Sequence, residues 1–189
     1  MSNMFDPKKL NKLNNPERLK DIPPEYIWNK LALENVKTIV DIGAGTGFFS
    51  IPFMKLSGAK QVFACDISET MINWMQENLS EEHPNILPIQ MKEEILPLEN
   101  SIADLVFMIT LHHELKNPLE NLKEARRLLK KGGKIFIIDW KTTEMKQGPP
   151  LNVRCKTEDV KEQIKEAGFT NIIVDDSLPK FFLIIGEVL

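Results

Sequence analysis

A β-branched run, Thr38-Ile39-Val40-Asp41-Ile42, passes directly into a glycine-rich turn, Gly43-Ala44-Gly45-Thr46-Gly47, and then into an amphipathic stretch over 48–56. Strand, glycine turn and helix in that order are the opening unit of a parallel α/β sheet, and they cradle a nucleotide. The residue types suit that task. Glycines let the main chain approach a ligand that a Cβ would repel. The start of the helix offers unpaired N–H groups and a partial positive charge.

The spacing narrows the ligand. A dinucleotide site wants G-x-G-x-x-G. Here the pattern is Gly43-x-Gly45-x-Gly47, and Phe48 stands where the third glycine would be. Asp41 lies two residues before the first glycine. An acid there is unhelpful beside a pyrophosphate and suits an ammonium group. The stretch from Asp41 to Gly47 resembles motif I of the class I S-adenosylmethionine-dependent methyltransferases. The resemblance implies that Asp41 lies near the methionine ammonium, directly or through water. It also implies that Gly43, Ala44, Gly45, Thr46 and Gly47 pass under the ligand.

The 189 residues suffice for one α/β domain with a real core. A net charge of −3 without a basic block argues against a nucleic-acid groove. The densest basic stretch, Arg126-Arg127-Leu128-Leu129-Lys130-Lys131, falls in the last turns of a helix, where cations complement the macrodipole. The two cysteines, Cys65 and Cys155, have no metal-type spacing, so neither a metal nor a disulfide framework is expected. No apolar run approaches membrane-spanning length, and residues 1–9 lack a signal core. A soluble, cytoplasmic protein is the expectation.

Strand and helix patterns alternate along the chain. A helical cap is predicted within residues 1–33, its clearest helix at 23–33. The core is predicted over 34–189, in one domain. Strands are predicted at 36–42, 61–66, 86–90, 102–109 and 134–139. Helices are predicted at 46–56, from 69 with Ser68 as N-cap, at 118–130 with Gly132-Gly133 as the stop, and from Thr157 as a cap to 168. The runs 171–174 and 181–185 are separated by only 175–180, too few residues for a helix, so they should pair antiparallel. The expected fold is a Rossmann-like doubly wound α/β sheet of seven strands, mostly parallel, with a C-terminal antiparallel hairpin. That is also the sheet pattern of class I methyltransferases.

In such a sheet, ligands bind beyond the carboxyl ends of the strands. Asp66 ends the second strand, where an acid accepts two ribose hydroxyls. Ile67 and Met71 beside it are candidates to pack on an adenine. Residues 90–104 resemble the family's stretch before the fourth strand, although Lys92 stands where an adenine-contacting Asp is common. Either Glu93 or main-chain groups take that role, and Glu93 is the candidate side chain. Thr110-Leu111-His112-His113 resembles the family's post-strand motif beside the methionine moiety. His112 and His113 are candidate general bases, since histidine titrates near neutral pH, and a histidine there could equally form a hydrogen bond that orders the loop. At the fifth strand end, Trp140 is a candidate wall of the acceptor site, and Lys141 a candidate to hold an acidic group. The loop 142–156 reads equally as a lid or a rigid surface loop. In similar small methyltransferases the N-terminal segment covers the ligand, which makes Arg18 a candidate partner for the methionine carboxylate. Asp41, Asp66, Glu93, Glu114 and Asp139 would make the cleft acid-rich, suiting a cationic cofactor.

These residues lead to methyl transfer from S-adenosylmethionine to a small-molecule acceptor. The resemblance is strongest to the small branch that includes the quinone-biosynthesis methyltransferases. A domain that binds the cofactor without chemistry is the alternative. A NAD(P)-dependent oxidoreductase fits less well: the glycine spacing differs, and the sole tyrosine, Tyr26, precedes the nucleotide motif. The acceptor and the oligomeric state are not legible.

Overall fold

The computed structural model describes residues 7–189. Seven strands, β1 (Thr38–Ile42), β2 (Gln61–Asp66), β3 (Ile86–Gln90), β4 (Ala103–Ile109), β5 (Leu129–Trp140), β6 (Thr170–Asp175) and β7 (Phe181–Glu187), form one sheet. Their spatial order is β3-β2-β1-β4-β5-β7-β6. β1 to β5 pair in parallel, and β7 runs antiparallel to both β5 and β6. This is the expected doubly wound sheet with its terminal antiparallel hairpin.

The helices are α1 (Pro7–Leu13), α2 (Glu17–Asp21), α3 (Pro24–Leu31), α4 (Ser50–Ser57), α5 (Glu69–Leu79), α6 (Pro118–Leu128) and α7 (Thr157–Glu166). None among the described residues is long and apolar enough to cross a membrane. The sheet is covered on both faces, which is why its central strands read as continuous apolar runs. Side chains alternate between the two faces. Ile39, Leu105, Phe107 and Phe136 join a core with Ile27, Leu31, Phe53 and Met75. Val40, Val106, Ile135 and Ile137 join the other core, with Leu122, Ala125, Val160 and Ile164. Phe107 and Phe136 stack at 4.9 Å between centroids, and Phe53 closes on them at 5.0 and 5.1 Å. Each fully buried Phe contributes about 2 kcal/mol or more of apolar burial. The same alternation puts Asp41 on the face of Ile39, and Asp139 on the opposite face with Ile135 and Ile137.

Some local expectations are corrected. Gly132-Gly133 does not stop a helix. α6 ends at Leu128, Leu129 is already extended, and the glycines lie inside β5. Gly132 adopts φ 77° and its N–H donates to the Val188 carbonyl at 2.6 Å, while the β4–β5 register shifts between Ala103 and Leu105. The pair therefore makes a bulge. Ser68 sits at the N-cap of α5 without capping through its side chain; the Asp66 carboxylate accepts its N–H at 2.9 Å instead. Thr157 is the first residue of α7, after Lys156 at the cap. α4 starts at Ser50 because residues 43–49 are spent on the turn.

The N-terminal helices are fastened to the far end of the chain. Tyr26 donates to Asp175 Oδ2 at 2.6 Å, and Lys30 Nζ lies 2.6 Å from the same oxygen. Lys180 Nζ bonds both oxygens of Asp21, at 2.7 and 2.8 Å. Lys134 Nζ donates to the Leu31 carbonyl at 2.7 Å.

Candidate active site

The strand order reverses between β1 and β4, so the chains leaving these two parallel strands diverge to opposite faces and leave a crevice between them. The glycine turn lies on one side of it and Leu111 on the other. Gly43 has φ 72°, and a Cβ there would come within 2.6 Å of the Leu111 side chain. Only glycine fits that crossing. Gly43 and Ala44 both donate to the Cys65 carbonyl, at 2.8 and 2.9 Å, which anchors the turn to β2.

Two acids flank the turn. Asp66 Oδ2 accepts the Gly45 N–H at 2.8 Å, and Oδ1 accepts the Ser68 N–H. Burial raises the Asp66 carboxyl, while these amides pull it back. Asp41 is 3% exposed, and its Oδ2 accepts the Ser50 hydroxyl at 2.6 Å. Burial pushes it from 3.8 up to about 7, against the Ser50 hydrogen bond, with the Asp66 charge adding and the Arg18 charge opposing.

The N-terminal segment covers the turn. Leu13 lies 3.6 Å from where a Gly45 Cβ would stand, and Thr46 donates to Asn14 Oδ1 at 2.8 Å. The Arg18 guanidinium sits 4.8 Å from the Phe49 ring centroid and 5.5 Å from that of Phe48, and donates to the Leu13 carbonyl at 2.6 Å. Burial lowers its pKa against the attraction of Asp41. A buried carboxylate and a stacked guanidinium at one glycine turn are complementary to a zwitterion.

The remaining candidates divide. Ile67 is 65% exposed beside Asp66. Met71 is 8% exposed yet belongs to neither core cluster. Glu93 is exposed, at φ 50°, in a turn closed by hydrogen bonds between Lys92 and Ile95. Thr110, at φ 54°, donates its N–H to Ile138 at 2.7 Å, where β4 ends beside β5.

The adjacent histidines have opposite settings. His112 does not face the cleft mouth. It is 2% exposed, and its Nε2 meets Gln163 Oε1 of α7 at 2.8 Å. Burial lowers its pKa. His113 turns to β5, where its Nδ1 lies 2.8 Å from Asp139 Oδ1.

Lys141 does not reach toward the glycine turn. Its ammonium donates to the Asp176 carbonyl in the β6–β7 turn, at 2.5 Å. Trp140 packs on Phe181 with centroids 4.4 Å apart, and Gly148 lies against its other atoms. Arg154, which the sequence reading passed over, holds the loop after β5. Its guanidinium donates to the carbonyls of Lys141, Thr143, Gln147 and Pro149 at 2.9 to 3.0 Å. Of the two readings of this loop, the geometry matches the rigid one. Ser50 also escaped notice, having no signal beyond its place just after the glycine turn.

A methyltransferase-domain family profile matches residues 39–133. A solved structure of an S-adenosylmethionine-dependent methyltransferase from Aquifex aeolicus superposes with a TM-score of 0.89 at 31% identity, covering 98% of this chain and all (100%) of that one. This chain belongs to the class I S-adenosylmethionine-dependent methyltransferases. An uncharacterized protein of Methanocaldococcus jannaschii is 31% identical over 144 residues, which are 70% of this chain and 64% of that one. The ubiquinone/menaquinone biosynthesis C-methyltransferase UbiE of Acidiphilium cryptum is 31% identical over 121 residues, 61% of this chain and 47% of that one. The chain thus spans about half to two thirds of the length of these two relatives. The cofactor of the methyltransferase fold, S-adenosylmethionine, fits the residues present: the buried carboxyl of Asp41 and the guanidinium of Arg18 stand at one glycine turn, complementary to the amino-acid end of that molecule.

Proposed function

We propose that this protein transfers a methyl group from S-adenosylmethionine to a small-molecule acceptor. The observation that carries the reading is the convergence of Asp41, Arg18 and Asp66 on one glycine turn. In this reading Asp41 takes the methionine ammonium and Arg18 the carboxylate. Asp66 takes the ribose hydroxyls, next to amides that already fix its orientation. Gly43, Ala44, Gly45, Thr46 and Gly47 supply the floor of the site. In the same reading Ile67 and Met71 supply apolar surface for the base, and Glu93 takes its polar edge. Thr110 and Leu111 bound the methionine side of the crevice, and Trp140 backs the acceptor side.

When bound, the cofactor supplies a methyl group on positively charged sulfur. Because that leaving group is already activated, the chain's main tasks are alignment and exclusion of water. Leu13, Asn14 and Arg18 serve the exclusion by covering the turn. The absence of a basic groove in the sequence favours a small acceptor over nucleic acid.

Calorimetric titration tests the reading. S-adenosylhomocysteine should bind with micromolar affinity or better. Binding of NADH with none for S-adenosylhomocysteine would sink it. Binding without any turnover of acceptors would favour the non-catalytic domain.

A further inference from the structure

His113 and Asp139 come from adjacent strand ends, β4 and β5, on the sheet face opposite to Asp41. Asp139 is fully buried at 0% exposure, and both of its oxygens are committed to the His113 turn. Oδ1 lies 2.8 Å from His113 Nδ1 and also accepts the Trp140 N–H at 2.7 Å, while Oδ2 accepts the His113 N–H at 3.0 Å. The backbone and the ring of one residue are thus held by one carboxylate. A carboxylate accepts only, so Nδ1 carries the proton. The free lone pair of the neutral ring is then on Nε2. The His113 side chain is itself 6% exposed, and the groups near its ring are the exposed Glu114, at 3.6 Å from Nε2, together with His112 and the Arg154 guanidinium. Cys155 is close enough for its thiol to feel the Asp139 charge.

We propose that His113 and Asp139 form a general-base dyad that takes a proton from a hydroxyl acceptor, with His113 catalytic and Asp139 positioning it. The proposal rests on the methyltransferase reading above. An uncharged amine already presents a lone pair, and a thiol ionises at about pH 8.5. A phenolic hydroxyl ionises only near pH 10 and is a poor nucleophile until its proton leaves. In the balanced step the acceptor O–H proton passes to Nε2 as the O–CH3 bond forms. The C–S bond breaks, and the sulfur keeps the bonding pair. The products are the methyl ether, S-adenosylhomocysteine and His113 with both nitrogens protonated. His112 cannot substitute, because its Nε2 is bonded to Gln163 and its Nδ1 is buried with no hydrogen-bond partner among the described residues.

Nitrogen NMR of histidine-labelled protein, saturated with S-adenosylhomocysteine, reads the ring directly. Nδ1 of His113 should stay protonated from about pH 5 to 9 while Nε2 titrates above the ordinary histidine value of about 6.5. Burial alone would lower that value, but the hydrogen bond and charge of Asp139 and the charge of Glu114 outweigh it and Arg154. Asp139→Asn should lower it and abolish the tautomer preference. With S-adenosylmethionine and phenol as probe acceptor, turnover should rise with pH through the same titration. Asp139→Asn and His113→Gln should each cost about 100-fold or more, with the affinity for S-adenosylhomocysteine held within about threefold. A neutral ring protonated on Nε2 would overturn the dyad, and it needs no variant to observe. Turnover of aniline but not phenol, or of neither, by a protein that binds S-adenosylhomocysteine would overturn the hydroxyl acceptor. Failure to bind S-adenosylhomocysteine at all would instead defeat the methyltransferase reading and leave the ring measurement standing.

Discussion

Replacing Asp41 by Asn should make the cofactor-free protein more stable at high pH while abolishing cofactor binding. Asp41 is 3% exposed, and its carboxyl is raised from 3.8 to about 7. Below pH 3.8 the group is neutral in both the folded and unfolded chains. As pH rises, the unfolded chain ionises first, and the folded chain holds its proton until about pH 7. Stability supplied by the protonated form is therefore lost progressively across that window. At about 1.4 kcal/mol per tenfold change in proton affinity, the loss is about 4 kcal/mol by pH 8. The amide of the variant would carry no charge to bury, and its carbonyl keeps an acceptor for Ser50. Urea midpoints measured near pH 4.5 and pH 8 should show the variant gaining several kcal/mol on the parent between the two. The affinity of the parent for S-adenosylhomocysteine should move in the opposite sense. An ammonium needs the ionised carboxylate, so binding should strengthen about tenfold from pH 6 to pH 8. It should release close to one proton at the lower pH. Parallel stability curves for parent and variant, or full affinity in Asp41→Asn, would refute the reasoning.

Asp66→Ala removes the acceptor for the Gly45 and Ser68 N–H groups as well as for the ribose, and should weaken S-adenosylhomocysteine binding by about 100-fold or more in calorimetry. Gly43→Ala places a Cβ 2.6 Å from Leu111 at φ 72° and should cost about 1–3 kcal/mol in urea denaturation. Gly58→Ala, at φ 65° with open space around it, should cost only about 1 kcal/mol and serves as the control for left-handed strain alone.

The fold was legible where local chemistry and packing agree. Apolar runs such as 103–109 and 134–138 read as buried strands, and six residues between the last two runs left room for nothing but a hairpin. The places of Asp41 and Asp66 beside the glycine turn were legible because each lies at the end of a strand next to it. The histidine pair was not. His112 and His113 are neighbours in one short turn, and what separates them lies elsewhere. Gln163 is 51 residues away and Asp139 is 26. Lys141 misled for the same reason. Its partner Asp176 lies on a turn 35 residues later, and no pattern near Lys141 points to it. Gly132-Gly133 failed differently: glycine after a helix is a sound stop signal, but the Val188 carbonyl claimed the Gly132 amide for the sheet.

The fastening of the N-terminal helices has a consequence for the order in which the molecule forms. Tyr26 reaches Asp175 across 149 residues, Lys180 reaches Asp21 across 159, and Lys134 reaches Leu31 across 103. Such contacts close loops of 103 to 159 residues in a chain of 189, and closing them costs more entropy than closing the local turns. During synthesis, Leu13, Asn14 and Arg18 emerge before the β6–β7 segment whose Asp175 and Lys180 fasten their helices. The nucleotide turn between β1 and α4 is closed by local contacts, whereas its roof depends on contacts distant in sequence, so loosening β6 or β7 should uncover the pocket before it unmakes the turn.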